Sequence, residues 1–151
     1  MREAIQLGTD VHYATALYDA DNLDEASVSD RVRPYLDAWK LFRCEAISRG
    51  AFVAVEVRLY SEAGHFAGTC DRIIYLQDGG TVIVEIKTGA KEKWHAVQVA
   101  GYCTMLDLGA SGWLVYLRPD GTYECDQMAG SSWDYRAWRA CLDLWHWRNL
   151  K

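Results

Sequence analysis

The chain has 151 residues, half of them hydrophobic, which is the size of one domain with a substantial core. Its formal net charge of −5 excludes a protein that coats nucleic acid nonspecifically, but not an enzyme that contacts a few phosphates. The sequence has no apolar run long enough to span a membrane and no basic-then-apolar leader, so we expect a soluble, cytoplasmic protein. The five cysteines are an odd number without a C-x-x-C pair, which predicts reduced, mostly buried thiols.

The N-terminal third predicts two helices. The first begins after Gly8, where Thr9 or Asp10 can cap it. His12 then lies near its N-terminus, where a lone histidine is more often structural than a ligand. The second helix is predicted over residues 31–48, and its apolar residues recur at helical spacing.

Residues 31–50 of this region are basic, with five bases against two acids: Arg31, Arg33, Lys40, Arg43 and Arg49. One interpretation is a solvated helix face. The other is a patch that faces phosphates, and the sequence alone leaves both open.

The middle of the chain predicts three strands, at residues 51–60, 66–76 and 81–88. The Asp78-Gly79 turn joins the last two as an antiparallel hairpin. A helix over 94–108 and a short buried strand over 113–117 then suit a crossover to a parallel neighbour.

The C-terminal part predicts a weak strand over 122–127 and a last helix capped by Ser131 or Ser132. One side of this helix is apolar: Trp133, Ala137, Trp138, Cys141, Leu142 and Trp145. The order α-α-β-β-β-α-β-β-α predicts a single α/β domain, residues 1–151, with a mixed central sheet flanked by helices.

Charged residues interrupt the most apolar of these strands. Glu85 and Lys87 are two residues apart and share a face of the strand, where charge is costly to hold. An isolated surface ion pair is the simple explanation. However, the hairpin can place Asp71 beside Glu85, and two neighbouring carboxylates suit a divalent cation such as Mg²⁺. Lys87 can reach the same point, which makes a phosphodiester-hydrolysis site plausible.

The following helix offers Gln98 and Tyr102, four residues apart and therefore on one face. Taken alone, they indicate no more than an ordinary mixed helix face.

Four short motifs in order resemble the PD-(D/E)XK nuclease superfamily, whose core is restriction-endonuclease-like: Gly-Thr-x-Val-His12, Gly68-Thr-Cys-Asp71, Glu85-Ile-Lys87-Thr-Gly and Gln98-x-x-x-Tyr102. The similar branch is that of RecB-like exonucleases and small phage or CRISPR-adaptation nucleases.

The resemblance implies ligands for Mg²⁺ or Mn²⁺: His12, Asp71, Glu85 and the carbonyl of Ile86. It implies catalytic roles for Asp71, Glu85, Lys87, Gln98 and Tyr102. Glu56 matches an acidic residue often seen on the strand before the aspartate. The candidate DNA-binding cations are Arg31, Arg33, Arg43, Arg72, Lys91 and Lys93.

Three departures from the superfamily pattern bear on this expectation. No proline precedes Asp71, no set of cysteines matches an iron–sulfur cluster, and no G-x-x-x-x-G-K-[ST] phosphate loop is present. We therefore expect a metal-dependent deoxyribonuclease without an iron–sulfur cluster or a built-in motor. An exonuclease role in recombination, repair or phage DNA processing, with a recombination or helicase partner, is the first expectation. The alternatives are a structure- or sequence-specific endonuclease, or a module on the same fold that binds DNA or protein without cutting.

Overall fold

A five-stranded mixed β-sheet forms the centre of the molecule in a computed structural model, which describes residues 2–46, 52–77, 79–106 and 109–149. The strands are β1 (Phe52–Ser61), β2 (Phe66–Tyr75), β3 (Thr81–Lys87), β4 (Ser111–Leu117) and β5 (Tyr123–Ala129). The helices are α1 (Arg2–Asp19), α2 (Arg33–Ala46), α3 (Lys93–Met105) and α4 (Ser132–Asn149), with a short 3₁₀ helix at Glu25–Ser27. None of the helices in the described ranges is long and apolar enough to cross a membrane.

The strands lie in the sheet in chain order, β1-β2-β3-β4-β5. Neighbouring strands are antiparallel except β3 and β4, which are parallel with Glu85 opposite Leu114. This confirms the predicted mixed sheet, the β2–β3 hairpin and the parallel neighbour reached through α3. The turn residue Asp78 lies outside the described residues.

The alternating side chains of β3 serve two separate cores, because successive residues of a strand point to opposite faces. Val82, Val84 and Ile86 pack with α1 and α2 on one face. Ile83 packs with α3 on the other face. Cover on both faces explains why this strand is almost continuously apolar.

The first helix begins earlier than the sequence predicts, at Arg2, and continues through Gly8. The Thr9 hydroxyl donates to the Ile5 carbonyl 3.1 Å away, and Gln6 donates to Asp10, so the first half is helical in its side-chain contacts too. A chain of good helix formers before Gly8 outweighs the single unfavourable glycine. His12 therefore lies in the middle of the helix, not near its end.

The C-terminal helix is less buried than predicted. Trp138 and Leu142 are half-buried, but the other four residues of the predicted apolar side are exposed. The face that packs follows a different spacing: Tyr135, Trp138, Leu142 and His146. The helix covers α3, the turn between β1 and β2 and the first residue of β2, Phe66, so most of its surface stays open.

The prediction that the cysteines are mostly buried is wrong, although all five are free thiols. Cys70 and Cys103 are buried, Cys125 is half-buried, and Cys44 and Cys141 are exposed.

Candidate active site

A gap between two strands creates the site. The antiparallel pairing of β2 and β3 runs from Tyr75 opposite Thr81 to Arg72 opposite Val84 and is not continued beyond that pair. There the Asp71 carboxylate takes the place of a main-chain acceptor, since its Oδ2 accepts a 2.7 Å hydrogen bond from the Ile86 amide. Asp71 is thereby fixed beside the strand that carries Glu85, as the hairpin predicted.

A local irregularity lies beside the gap. Glu56 of β1 has a φ of +50°, which is rare for a residue with a side chain, and the pair Glu56–Asp71 is missing from an otherwise continuous ladder. Cys70 and Ile73 are three residues apart, yet both pack on the α3 face, so the alternation of β2 reverses between them. Because of this reversal, the carboxylates of Glu56 and Asp71 do not follow the regular alternation of their strands. Nothing in the sequence predicts the reversal.

One imidazole and two carboxylates converge at this point. Ligand atoms of His12, Glu56 and Asp71 all lie within 4.8 Å of one another. His12 Nδ1 is 2.9 Å from Asp71 Oδ1. Burial opposes a charge on His12, but its hydrogen bond to Asp71 and the surrounding carboxylates raise its pKa overall. Burial and the charge of Asp71 raise the pKa of Glu56.

Glu85 contributes a third carboxylate, which is only 5% exposed. Its Oε1 accepts hydrogen bonds from Lys87 Nζ (2.9 Å) and Gln98 Nε2 (2.8 Å). Its Oε2 is buried and has no hydrogen-bond partner among the described residues. Burial, followed by the charge of Asp71, raises the pKa of Glu85 to about 7. A buried oxygen without a partner is costly, which indicates that a ligand belongs there.

Lys87, Gln98 and Tyr102 form one hydrogen-bonded chain with Glu85. Lys87 Nζ also donates to Gln98 Oε1 (3.0 Å), and Gln98 Nε2 donates to the Tyr102 hydroxyl (3.0 Å). Burial and the nearby charge of Glu85 raise the pKa of Tyr102 to about 12, so its hydroxyl keeps its proton at neutral pH. The helix face that looked ordinary in the sequence thus holds the lysine in place.

Trp94 is a feature of the site that the sequence analysis missed. Its ring is 58% exposed, and Lys87 Nζ lies 5.6 Å from the ring centroid. An exposed aromatic ring in this position can stack against a base of a bound nucleic acid. The only sequence signal was a tryptophan at the start of α3.

The donor set fits a hard divalent cation. Carboxylate oxygens with one imidazole suit Mg²⁺ or Mn²⁺, and a cation would relieve the repulsion among Glu56, Asp71 and Glu85. The group that converges most closely includes Glu56, whose role was uncertain from the sequence, and does not include Glu85. Ile86 contacts the site through its amide, which donates to Asp71.

A buried ion-pair network stands behind Asp71. Asp19 is fully buried and lies 2.6 Å from Arg72 Nε and 2.9 Å from Arg43 Nε. Arg72 also donates to the Asp71 carbonyl (2.6 Å) and to Thr15 (3.1 Å). The network ties α1 and α2 to the strand segment that presents Asp71.

This arrangement contradicts a surface role for Arg72, whose side chain is fully buried and neutralises Asp19. Arg43 is engaged by the same aspartate. Arg33 donates to the carbonyls of Glu25 and Val28, so it holds the loop before α2 in place. Among the described residues of the predicted basic patch, Arg33, Lys40 and Arg43 thus make contacts within the molecule, and Arg49 lies outside the described residues.

Three of the predicted DNA-binding cations remain at the surface. Arg31 is exposed and donates to the Glu3 carbonyl (2.6 Å). Lys91 is exposed and pairs with Glu124, while Lys93 is exposed at the start of α3. Of these, Lys93 is next in sequence to Trp94 at the site.

Comparisons with known proteins bear on the same residues. The family model of the PD-(D/E)XK nuclease superfamily matches residues 2–142, a stretch that contains every residue of the site described above. No curated protein matches the chain. A solved structure described as "Crystal structure of SSO0001" is similar over 93% of this chain and 75% of that chain, at 17% identity and a TM-score of 0.49. At that score the likeness carries no argument.

The five-stranded mixed sheet flanked by helices is consistent with the restriction-endonuclease-like core of the matched nuclease superfamily. The chain belongs to the PD-(D/E)XK nuclease superfamily.

Proposed function

We propose that the protein is a Mg²⁺- or Mn²⁺-dependent deoxyribonuclease that hydrolyses phosphodiester bonds. The observation that carries the proposal is the convergence of three ligand atoms of His12, Glu56 and Asp71 within 4.8 Å, beside the unpartnered Oε2 of Glu85. The carboxylates of Glu56, Asp71 and Glu85 repel one another at this point, and a bound cation would relieve that repulsion. The superfamily match supports the same conclusion for the class of reaction.

In this proposal His12, Asp71 and Glu85 hold the metal, with Glu56 and the Ile86 carbonyl completing the set. When bound, the metal supplies charge neutralisation at the scissile phosphate and activation of water. Asp71 is oriented for this role by its hydrogen bond from the Ile86 amide.

Lys87 is the proposed catalytic cation. It is held between Glu85 and Gln98 at 2.9 and 3.0 Å, and the Tyr102 hydroxyl bonds to the same Gln98. A lysine positioned in this way can donate to a nonbridging phosphate oxygen or orient the attacking water. Gln98 and Tyr102 keep the ammonium group at the site while Glu85 turns its other oxygen to the metal.

We further propose an exonuclease that acts in recombination, repair or phage DNA processing, together with a recombination or helicase partner. The support is the resemblance to the RecB-like branch and the absence of a phosphate loop in this sequence. A net charge of −5, and internal ion pairs that engage Arg43 and Arg72, also leave few of the described cations for DNA, so help from a partner protein fits.

The test is incubation of the purified protein with linear and with covalently closed circular DNA, in Mg²⁺, in Mn²⁺ and in EDTA. The proposal predicts metal-dependent loss of the linear DNA from its ends, with the circular DNA intact. Nicked or linearised circles would identify an endonuclease instead. Intact DNA in both metals, with metal binding confirmed, would contradict the nuclease proposal.

A further inference from the structure

The last helix carries a second apolar face that nothing in the described chain covers. Five residues of α4 define it, and we refer to them as the α4 stripe: Trp133, Ala137, Ala140, Leu144 and Trp147. Trp133, Leu144 and Trp147 are 73%, 62% and 71% exposed, and both alanines are exposed. Large exposed apolar patches on a helix usually mark an interaction surface.

The α4 stripe is distinct from the face that holds the helix on the molecule. Trp138 packs against Gly101 of α3, where an added Cβ would come within 3.0 Å of its ring, and against Phe66 at a centroid distance of 5.1 Å. His146 Nε2 lies 2.9 Å from the Gly64 carbonyl. A surface helix with one partner needs one apolar face. The second face therefore requires a second partner.

The spacing of the α4 stripe indicates what kind of partner fits. Its residues are separated by four, three, four and three positions, which is the a/d repeat of two helices that pack along each other. Alanines at the two central positions allow a close approach, while the tryptophans at both ends supply area. A helix with a matching stripe is the expected occupant, and α4 of a second copy is such a helix.

The charges beside the α4 stripe are self-complementary. Asp134 and Arg136 flank its first half, and Asp143 and Arg148 flank its second half. Within one copy Asp143 pairs with Arg139 (3.2 Å) and Arg136 lies 5.0 Å from the centroid of the Trp133 ring, but an exposed ion pair of this kind is weak, so Asp143 can exchange its partner for one on a second copy. In an antiparallel pair with a two-fold axis near Ala140, Asp134 of each copy lies close to Arg148 of the other. Arg136 of each copy likewise lies close to Asp143 of the other. Four opposite-charge contacts and opposed helix dipoles favour this orientation.

From this pattern we infer that the protein forms a symmetric homodimer through antiparallel packing of the α4 stripes. A parallel pair is less favourable, because only Asp143 then meets an opposite charge, at Arg148. The inference does not depend on the nuclease proposal, since no stripe residue belongs to the active site.

Sedimentation equilibrium over a wide range of protein concentration tests the dimer directly. The wild type is expected to show a concentration-dependent monomer–dimer equilibrium. Leu144→Asp should weaken it at least about 100-fold, because each of the two symmetric leucines contributes burial. Ile5→Asp is the matched control, since Ile5 is 65% exposed on α1 and should leave the dimer unchanged. A monomer at all concentrations would overturn the inference, and so would a dimer insensitive to Leu144→Asp.

Charge exchange tests the antiparallel orientation. Arg136→Glu alone and Asp143→Arg alone should each weaken the dimer about tenfold, since each replaces two attractions by two repulsions. The double variant should restore wild-type affinity, with circular dichroism confirming that every variant is folded. If the double variant does not restore affinity, the antiparallel arrangement is wrong. It is also wrong if Arg136→Glu alone leaves the dimer affinity unchanged, because in a parallel pair Arg136 faces no acid and its replacement would remove no attraction.

Discussion

Replacing Glu85 by Gln should stabilise the metal-free protein at high pH. The folded-state pKa of Glu85 is about 7, above its ordinary value of 4.5, so the native protein holds a proton that the unfolded chain has lost. The contribution of Glu85 to stability is therefore most favourable below the unfolded pKa of 4.5, and it is lost as pH rises from there through about 7. Glutamine keeps the shape of the protonated acid and carries no charge at any pH.

The size of this effect follows from the pKa. A rise from 4.5 to about 7 corresponds to about 3 kcal/mol of folding free energy, at about 1.4 kcal/mol per pKa unit. The attraction of Lys87 is already part of that figure, since it lowers the pKa that burial and Asp71 raise. We expect Glu85→Gln to gain up to about 3 kcal/mol at about pH 8 and less than about 1 kcal/mol at about pH 5.

Urea unfolding in EDTA at both pH values measures the difference. Glu124→Gln is the matched control, because Glu124 also pairs with a lysine, Lys91, but at the surface. Its hydrogen bond to Lys91 lowers the pKa of Glu124, so that variant should lose a little stability at high pH, the opposite sign. If Glu85→Gln is instead less stable than the wild type at pH 8, Glu85 and Lys87 form a structural ion pair. The charge of Glu85 would then not destabilise the metal-free protein, and this part of the account would be wrong.

Three further variants separate catalysis, scaffolding and DNA contact. Lys87→Ala should lower the cleavage rate at least about 100-fold yet leave Mn²⁺ binding nearly unchanged, as followed by calorimetry, because Lys87 is not a ligand. Asp19→Ala should destabilise the fold by about 3–5 kcal/mol in urea unfolding, since it leaves two arginines without their buried partner; a loss below about 1 kcal/mol would contradict the network. Trp94→Ala should weaken single-stranded DNA binding by about 1–3 kcal/mol without changing metal affinity, whereas Tyr60→Ala, which removes another exposed ring, should not.

The order of the elements could be predicted from sequence because it rests on local signals. The β-branched run of β3 between glycines predicts a strand, and the helical spacing of apolar residues in α2 predicts a helix. The structure confirms both. The start of α1 could not be predicted in the same way. Gly8 is a signal for a helix boundary, and the sequence analysis placed the start of α1 after it. The good helix formers before Gly8 outweigh this single glycine, so the helix begins at Arg2.

The active site was only partly predictable for a similar reason. The spacing of Asp71, Glu85 and Lys87 shows in the sequence, but the reversal of strand alternation at Glu56 arises from a main-chain conformation that no residue type announces. Arg72 shows the converse error. A basic residue next to the candidate aspartate Asp71 suggests DNA contact, and only the fold reveals that Asp19, more than fifty residues earlier, pairs with Arg72 in the interior.

Direct titration of Mn²⁺ into the wild type and into Asp71→Asn tests the central claim most directly. Asp71 touches His12 and the Ile86 amide and belongs to the closest ligand cluster, so it is the residue on which the site depends. The account predicts that the wild type binds Mn²⁺, that Asp71→Asn loses this binding, and that the rate of DNA cleavage follows metal occupancy in both proteins. Wild-type Mn²⁺ affinity in Asp71→Asn, or cleavage that continues without bound metal, would contradict it.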